Sequence, residues 1–144
     1  MRIDGEACRT IWPEADGKVG ILDQTALPHR VVRLSLARAE EAARAIADMQ
    51  VRGAPLIGVT AAYGLALALR QRADDAAMDG AIDMLAATRP TAVNLRWALM
   101  RMREALAPLA ASARADAAWA RATEMANEDV AVCSALGDHG LPLI

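Results

Sequence analysis

Between Arg52 and Arg70 the chain carries no charge, and the stretch from Leu56 to Leu69 is largely apolar. Such a segment has to leave water on every side. Two environments achieve this, a lipid bilayer or the centre of a helical bundle. A spanning helix wants about 20 such residues, so this run stands near the lower limit. No second apolar run accompanies it. Gly58, Thr60 and Gly64 are small enough to admit close neighbours in either setting. The reading is a buried central helix, and no membrane is expected.

The start of that helix holds the most chemistry. Residues 51 to 64 read Val-Arg-Gly-Ala-Pro-Leu-Ile-Gly-Val-Thr-Ala-Ala-Tyr-Gly. Pro55 suits a first helical turn, where its missing N–H would have no partner anyway. Gly53 lets the backbone approach a ligand closely. Free N–H groups and the positive end of the helix dipole favour an anion there. Arg52 adds a planar fork that suits a phosphate. The same residues also suit an ordinary loop-to-helix junction with a solvated arginine.

A second junction repeats the pattern. Residues 88 to 95 read Thr-Arg-Pro-Thr-Ala-Val-Asn-Leu, followed by a helical run from Arg96. Pro90 pushes Arg89 towards extended backbone. Either Thr88 or Thr91 is placed to cap the new helix. Two arginines, each held just before a helix start, could converge on one phosphate. Alternatively, Pro90 and Thr91 merely begin a helix and Arg89 points into water. Spacing alone does not bring the two junctions together.

Arg52-Gly53-Ala54-Pro55 with Ala61-Ala62-Tyr63-Gly64, then Ala87 to Leu95, closely resembles the methylthioribose-1-phosphate isomerase family of methionine salvage. Leu22-Asp23-Gln24-Thr25-Ala26-Leu27-Pro28 resembles the segment that the family carries near its N-terminus. The resemblance covers nearly the whole chain, with three motifs in the family's order. It implies an aldose-to-ketose isomerisation of 5-methylthioribose 1-phosphate, with Arg52, Gly53, Ala54 and Arg89 contacting this sugar phosphate. It also implies a homodimer in the full-length family, while a cytoplasmic protein is the default for an N-terminus without the apolar core of a signal peptide. The family's catalytic cysteine and aspartate belong to a second, Rossmann-like domain with a Thr-His-Cys-Asn-type segment, which this chain lacks. The expectation is therefore an N-terminal domain, inactive alone, whose apolar tail Leu141-Pro142-Leu143-Ile144 leads towards the missing one. Related readings are a regulatory module like the initiation-factor exchange subunits, a ribose-1,5-bisphosphate isomerase domain, or a fragment that retains only the fold.

Other chemistries find little support. Cys8 and Cys133 have no histidine at a telling spacing, and a lone helical cysteine such as Cys133 reads as a small buried apolar residue. A disulfide between them is not expected, because nothing points to an oxidising compartment. His29 and His139 are the only histidines. Cys-x-x-Cys, Asp-x-Asp-x-Asp-Gly and His-Glu-x-x-His are absent, so no metal site and no cofactor are expected. His29 reads as a turn residue and Asp48 as an exposed helix charge. The formal charge of −2 provides no overall attraction for nucleic acid, and aromatics are too few for a base-stacking surface. Met1 to Glu6 lacks the apolar core of a signal peptide.

The expected architecture is α+β and mostly α, in one domain over residues 1–144. Residues 8–36 carry β signals at Arg9–Trp12, Val19–Asp23 and Val31–Leu36, with Asp16-Gly17 as a hairpin turn. These form a small three-stranded antiparallel sheet. Residues 37–137 turn helical in period, with about five helices near 38–49, 55–72, 74–86, 91–107 and 113–136. Asp74 or Asp75 should cap the third, Pro108 should end or bend the fourth, and Gly137 to Gly140 should stop the last. Met78, Met84, Met100, Met102 and Met125 should fill gaps between helices, with Trp97 and Trp119 in the core. Trp12 should pack across the sheet. Arg101, Arg103 and Arg114 read as a solvated face.

Overall fold

The computed structural model describes residues 2–3 and 5–143. Its three-stranded antiparallel sheet comprises β3 (Ile11–Pro13), β4 (Val19–Leu22) and β5 (Arg33–Leu36), in that order. Asp16-Gly17 makes the expected reversal. Gly17 takes φ +82°, and Asp16 Oδ1 accepts the Lys18 N–H at 3.2 Å. In the β3–β4 register Trp12 stands opposite Gly20. A Cβ on Gly20 would lie 2.1 Å from the indole, so the expected cross-sheet packing of Trp12 depends on that glycine.

Two details depart from the expected strands. The first begins at Ile11, and the last begins at Arg33 after the tight turn over Asp23–His29. The Asx turn in which Asp23 accepts the Thr25 N–H at 2.9 Å, and a cis Leu27–Pro28 bond, lie in that segment. An additional hairpin joins β1 (Arg2–Ile3) to β2 (Glu6–Ala7) through Gly5 at φ +83°. Strands of two residues are too short for a periodic signal.

The helices are α1 (Ala39–Ala47), α2 (Ala54–Gln71), α3 (Asp75–Ala87), α4 (Val93–Leu106) and α5 (Ala111–Gly140). As the uncharged run requires, α2 is the axis: its residues from Leu56 to Leu67 are all buried. No helix among the described residues is long and apolar enough to cross a membrane. Close packing uses the two glycines. A Cβ on Gly58 would fall 2.9 Å from the Asn94 carbonyl oxygen on α4, and one on Gly64 would meet Ala42 and Leu85 at 3.0 Å. Thr60 satisfies its buried hydroxyl on the Leu56 carbonyl at 2.7 Å. Sheet and bundle share one core, since Ile11, Val19, Ile21 and Leu36 join the helical cluster.

Asp74 caps α3, accepting from the Ala77 N–H at 3.0 Å, and α4 ends at Leu106 before Pro108. Other expectations need correction. Neither Thr88 nor Thr91 caps α4, whose N-cap is Ala92; the Thr88 hydroxyl instead donates back to the Leu85 carbonyl at 2.6 Å, at the end of α3. α5 runs through Gly137 and ends at Gly140, within the expected stop segment but beyond the expected helix end at 136, because both glycines stay helical and nothing crowds them. A glycine permits a left-handed stop but does not compel one. A 3₁₀ turn at Leu141–Leu143 follows, with Ile144 outside the described residues.

Trp97 is 47% exposed and Met100 54%. The core face of α4 is Leu95, Ala98, Leu99, Met102 and Leu106, and helical geometry puts Val93, Trp97 and Met100 opposite. Apolar residues on both faces made that stripe look wider than the core. Cys133 is exposed rather than buried, because the second half of α5 runs past the packed bundle. Arg114 is not on a solvated face but buried. The turn after α4 leaves its carbonyls without partners, and Arg114 takes those of Leu106, Ala107 and Leu109 together with Ala73 across the bundle. Arg101 and Arg103 are exposed as expected, paired with Glu104 and Asp79.

Candidate functional site

Connectivity puts the starts of α2 and α4 at the same end of the bundle. Gly58, in the second turn of α2, packs on Asn94 in the first turn of α4. At the far end, Arg114 bridges carbonyls following α4 to Ala73, just beyond α2. The two helices therefore run in the same sense, and the positive ends of their dipoles lie together. The first intrahelical acceptors are Gly53 O, for Ile57 N at 3.0 Å, and Ala92 O, for Arg96 N at 3.4 Å. The N–H groups before them point out of the helix ends. The two junctions read separately in the sequence are thus one region.

Arg52 is exposed just before α2, and its Nη2 donates to the Gln24 carbonyl at 3.4 Å. The Gln24 N–H in turn donates to Gln50 O at 2.9 Å. These bonds lay the Leu22–Pro28 segment against the Gln50–Gly53 loop, so the first and second motifs meet in space. Gly53 takes φ +100°, a conformation that side chains resist, with no atom within 4 Å of where a Cβ would stand. Its demand is conformational, and the space above it is open to a ligand. Ala54 and Pro55 follow, both exposed. Arg89 is half-buried in the turn closed by Ala92 N to Arg89 O at 3.0 Å, and it has no ion-pair partner among the described residues.

Beside these helix starts lies a cleft of about 250 Å³ between α2, α4 and α5. Its walls are mainly apolar, from Pro55, Val59, Trp97, Met125 and Val132, with Asn94, Glu128 and Asp129 at its polar edge. Sequence reasoning did not bring Asn94, Trp97 and the α5 residues beside Pro55 and Val59 of α2. The available signal was Asn94, an uncharged polar side chain in the first turn of α4. Glu128 is held by Arg121 at 2.8 Å. His29 is exposed in its turn and Asp48 is exposed at the end of α1. No group of three or more potential metal ligands occurs among the described residues.

Two cationic side chains thus stand by two neighbouring helix starts with outward N–H groups, a combination whose chemistry suits a small anion. The sequence pattern of the Initiation factor 2 subunit family matches residues 50–144, which contain both junctions. The chain belongs to the initiation factor 2 subunit family. It is 57% identical over its whole length to a methylthioribose-1-phosphate isomerase of Rhodospirillum centenum, covering 39% of that protein. It is 52% identical, again over its whole length, to the isomerase of the same name from Escherichia coli O45:K1, covering 39% of it. The chain therefore spans about two-fifths of the length of these curated relatives.

Two solved structures share the fold. A 5-methylthioribose 1-phosphate isomerase from Pyrococcus horikoshii OT3 matches 87% of the chain with a TM-score of 0.79 at 32% identity, over 37% of that structure. A translation initiation factor eIF-2B delta subunit from A. fulgidus matches 86% with a TM-score of 0.76 at 35% identity, over 38% of its chain. The resemblance read from the three motifs agrees with these relatives.

Proposed function

We propose that this chain is the N-terminal, phosphate-binding part of a methylthioribose-1-phosphate isomerase, contributing to the conversion of 5-methylthioribose 1-phosphate into 5-methylthioribulose 1-phosphate. The observation that carries this reading is the 52–57% identity, over essentially the whole chain, to proteins named for that activity. The juxtaposed helix starts provide its physical basis. Arg52 and Arg89 neutralise the sugar's phosphate, and the N–H groups opening α2 and α4 donate to its oxygens. Gly53 and Ala54 leave room for the sugar to approach the backbone.

Binding at this end holds the sugar still while groups elsewhere move its protons. Those groups are the cysteine and aspartate that the resemblance assigns to a further, Rossmann-like domain. The chain alone therefore binds the sugar phosphate and does not isomerise it, and the working form is a cytoplasmic homodimer of the longer protein. A second reading follows from the likeness to the eIF-2B delta subunit, namely a module that binds a phosphorylated ligand without turning it over.

Titration calorimetry with 5-methylthioribose 1-phosphate tests the proposal. Arg52→Ala and Arg89→Ala should each weaken binding by about 1.5–3 kcal/mol, the range for desolvated charged hydrogen bonds. Wild-type affinity in both variants would sink the phosphate site. Clear isomerase turnover by the chain, surviving both Cys8→Ala and Cys133→Ala, would overturn the assignment of the chemistry to another domain.

A further inference from the structure

The cleft of about 250 Å³ between α2, α4 and α5 opens from the turns that carry the outward N–H groups. Pro55 in the first turn of α2 and Asn94 in the first turn of α4 both line it. Its apolar walls include Val59, Trp97 and Met125. None of the described residues lining it is cationic, and its charged edge is anionic. Glu128 there is paired with Arg121 at 2.8 Å. Asp129 is half-buried, and its carboxylate makes no hydrogen bond or ion pair among the described residues. The Asn94 amide, also half-buried, is likewise uncommitted. Such a lining discriminates by charge as well as by shape. A phosphate entering here would meet the Asp129 carboxylate and no cation, in a site poorly screened by water. The volume lies below the roughly 300–1,000 Å³ of sites for drug-sized ligands, so it suits one arm of a sugar rather than a nucleoside. A neutral thioether meets both conditions, because it is uncharged and its sulfur packs well against an indole.

We propose, resting on the phosphate site above, that this cleft receives the C5 arm of the sugar phosphate and selects a methylthio group over a hydroxyl or a second phosphate. With the 1-phosphate at the helix starts, the C5 arm runs inward between α2, α4 and α5. Trp97 and Met125 contact its sulfur and methyl, and the Asn94 amide reaches a sugar hydroxyl. Asp129 turns away an anionic arm by repulsion. This role also accounts for Trp97, an indole 47% exposed on the face of α4 that the core does not use. A sugar with phosphates at both ends is therefore a poor ligand, which separates the methylthioribose reading from the ribose-1,5-bisphosphate one.

Titration calorimetry on the native chain compares three ligands that share the 1-phosphate: 5-methylthioribose 1-phosphate, ribose 1-phosphate and ribose 1,5-bisphosphate. The methylthio sugar should bind about tenfold tighter than ribose 1-phosphate, the discrimination a small apolar group sustains in a fitted pocket. The bisphosphate should bind no better than ribose 1-phosphate, despite its extra charge. Trp97→Ala, off the core face of α4, should cut the methylthio preference to about twofold or less. Asp129→Asn should improve the bisphosphate relative to ribose 1-phosphate by roughly fivefold. Equal affinities for the methylthio and hydroxyl sugars, or a preference untouched by Trp97→Ala, would overturn the subsite and leave the phosphate site standing. Tightest binding of the bisphosphate, or no effect of Asp129→Asn, would overturn the charge selection. No binding of any of the three would overturn both the subsite and the phosphate site.

Discussion

Arg114 shows how far a single side chain can be misjudged from its type. Arginines cluster on this surface, yet this one is buried. Its guanidinium reaches Leu109 O at 3.1 Å, Ala73 O at 3.0 Å and Asp75 Oδ1 at 2.7 Å, besides the carbonyls of Leu106 and Ala107. It closes the C-terminal end of α4 in the way a cap would. Arg114→Met keeps the length and removes every donor, so it should cost about 2–4 kcal/mol in urea unfolding. Arg114→Lys should recover only part, because one ammonium cannot span the same set of acceptors. Gly20 is constrained from the opposite direction. Gly20→Ala drives a methyl into Trp12 and should lose about 1–3 kcal/mol, read by the same unfolding curves. A neutral result at either position would contradict the packing described here.

At the level of elements, the start of α3 illustrates a local rule holding in its tertiary setting. The Asp74 carboxyl is held below its ordinary value, first by the Ala77 N–H it accepts and then by Arg72 beside it. A carboxylate with a lowered folded pKa adds stability above its unfolded value of about 3.9. That contribution disappears as pH falls through the folded value. Asp74→Ala should therefore destabilise the protein near neutrality and flatten the decline in melting temperature below about pH 4. Melts at pH 7 and pH 3 check this, and an equal shift at both would refute the electrostatic part. The start of α4 is the opposite case. It has two threonines within reach and uses neither as a cap, leaving its N–H groups turned outward beside Arg89.

Across the whole molecule, the sheet and the bundle act as one body. Arg70 ties them on the outside by donating to the Gly17 carbonyl in the β3–β4 turn, while its guanidinium lies 3.8 Å from the Trp119 ring centroid. Trp119 in turn meets Tyr63 edge-on at 5.3 Å, and the Tyr63 hydroxyl donates to Thr123 at 3.2 Å. Because Ile11, Val19 and Ile21 share the helical core, denaturation should be a single transition. Tryptophan fluorescence, reporting on Trp12 in the sheet and on Trp97 and Trp119 in the helices, should coincide with helix loss by circular dichroism. Separate midpoints would make the sheet an independent unit.

Much of this was legible in the residues. The uncharged run specified a buried central helix because no other soluble arrangement hides it. Asp16-Gly17 specified a hairpin, Asp74 a cap, and Pro108 a helix end, each through backbone chemistry that acts over a few residues. Arg52, Gly53, Ala54 and Arg89 were selected as a candidate site by the same local logic together with family resemblance. What required the tertiary structure was every relation between distant segments. Helix packing brought the starts of α2 and α4 together and turned Trp97 outward and Arg114 inward. Local propensity acts within a turn or two of chain, whereas burial is decided by which faces meet once the central helix has chosen its neighbours.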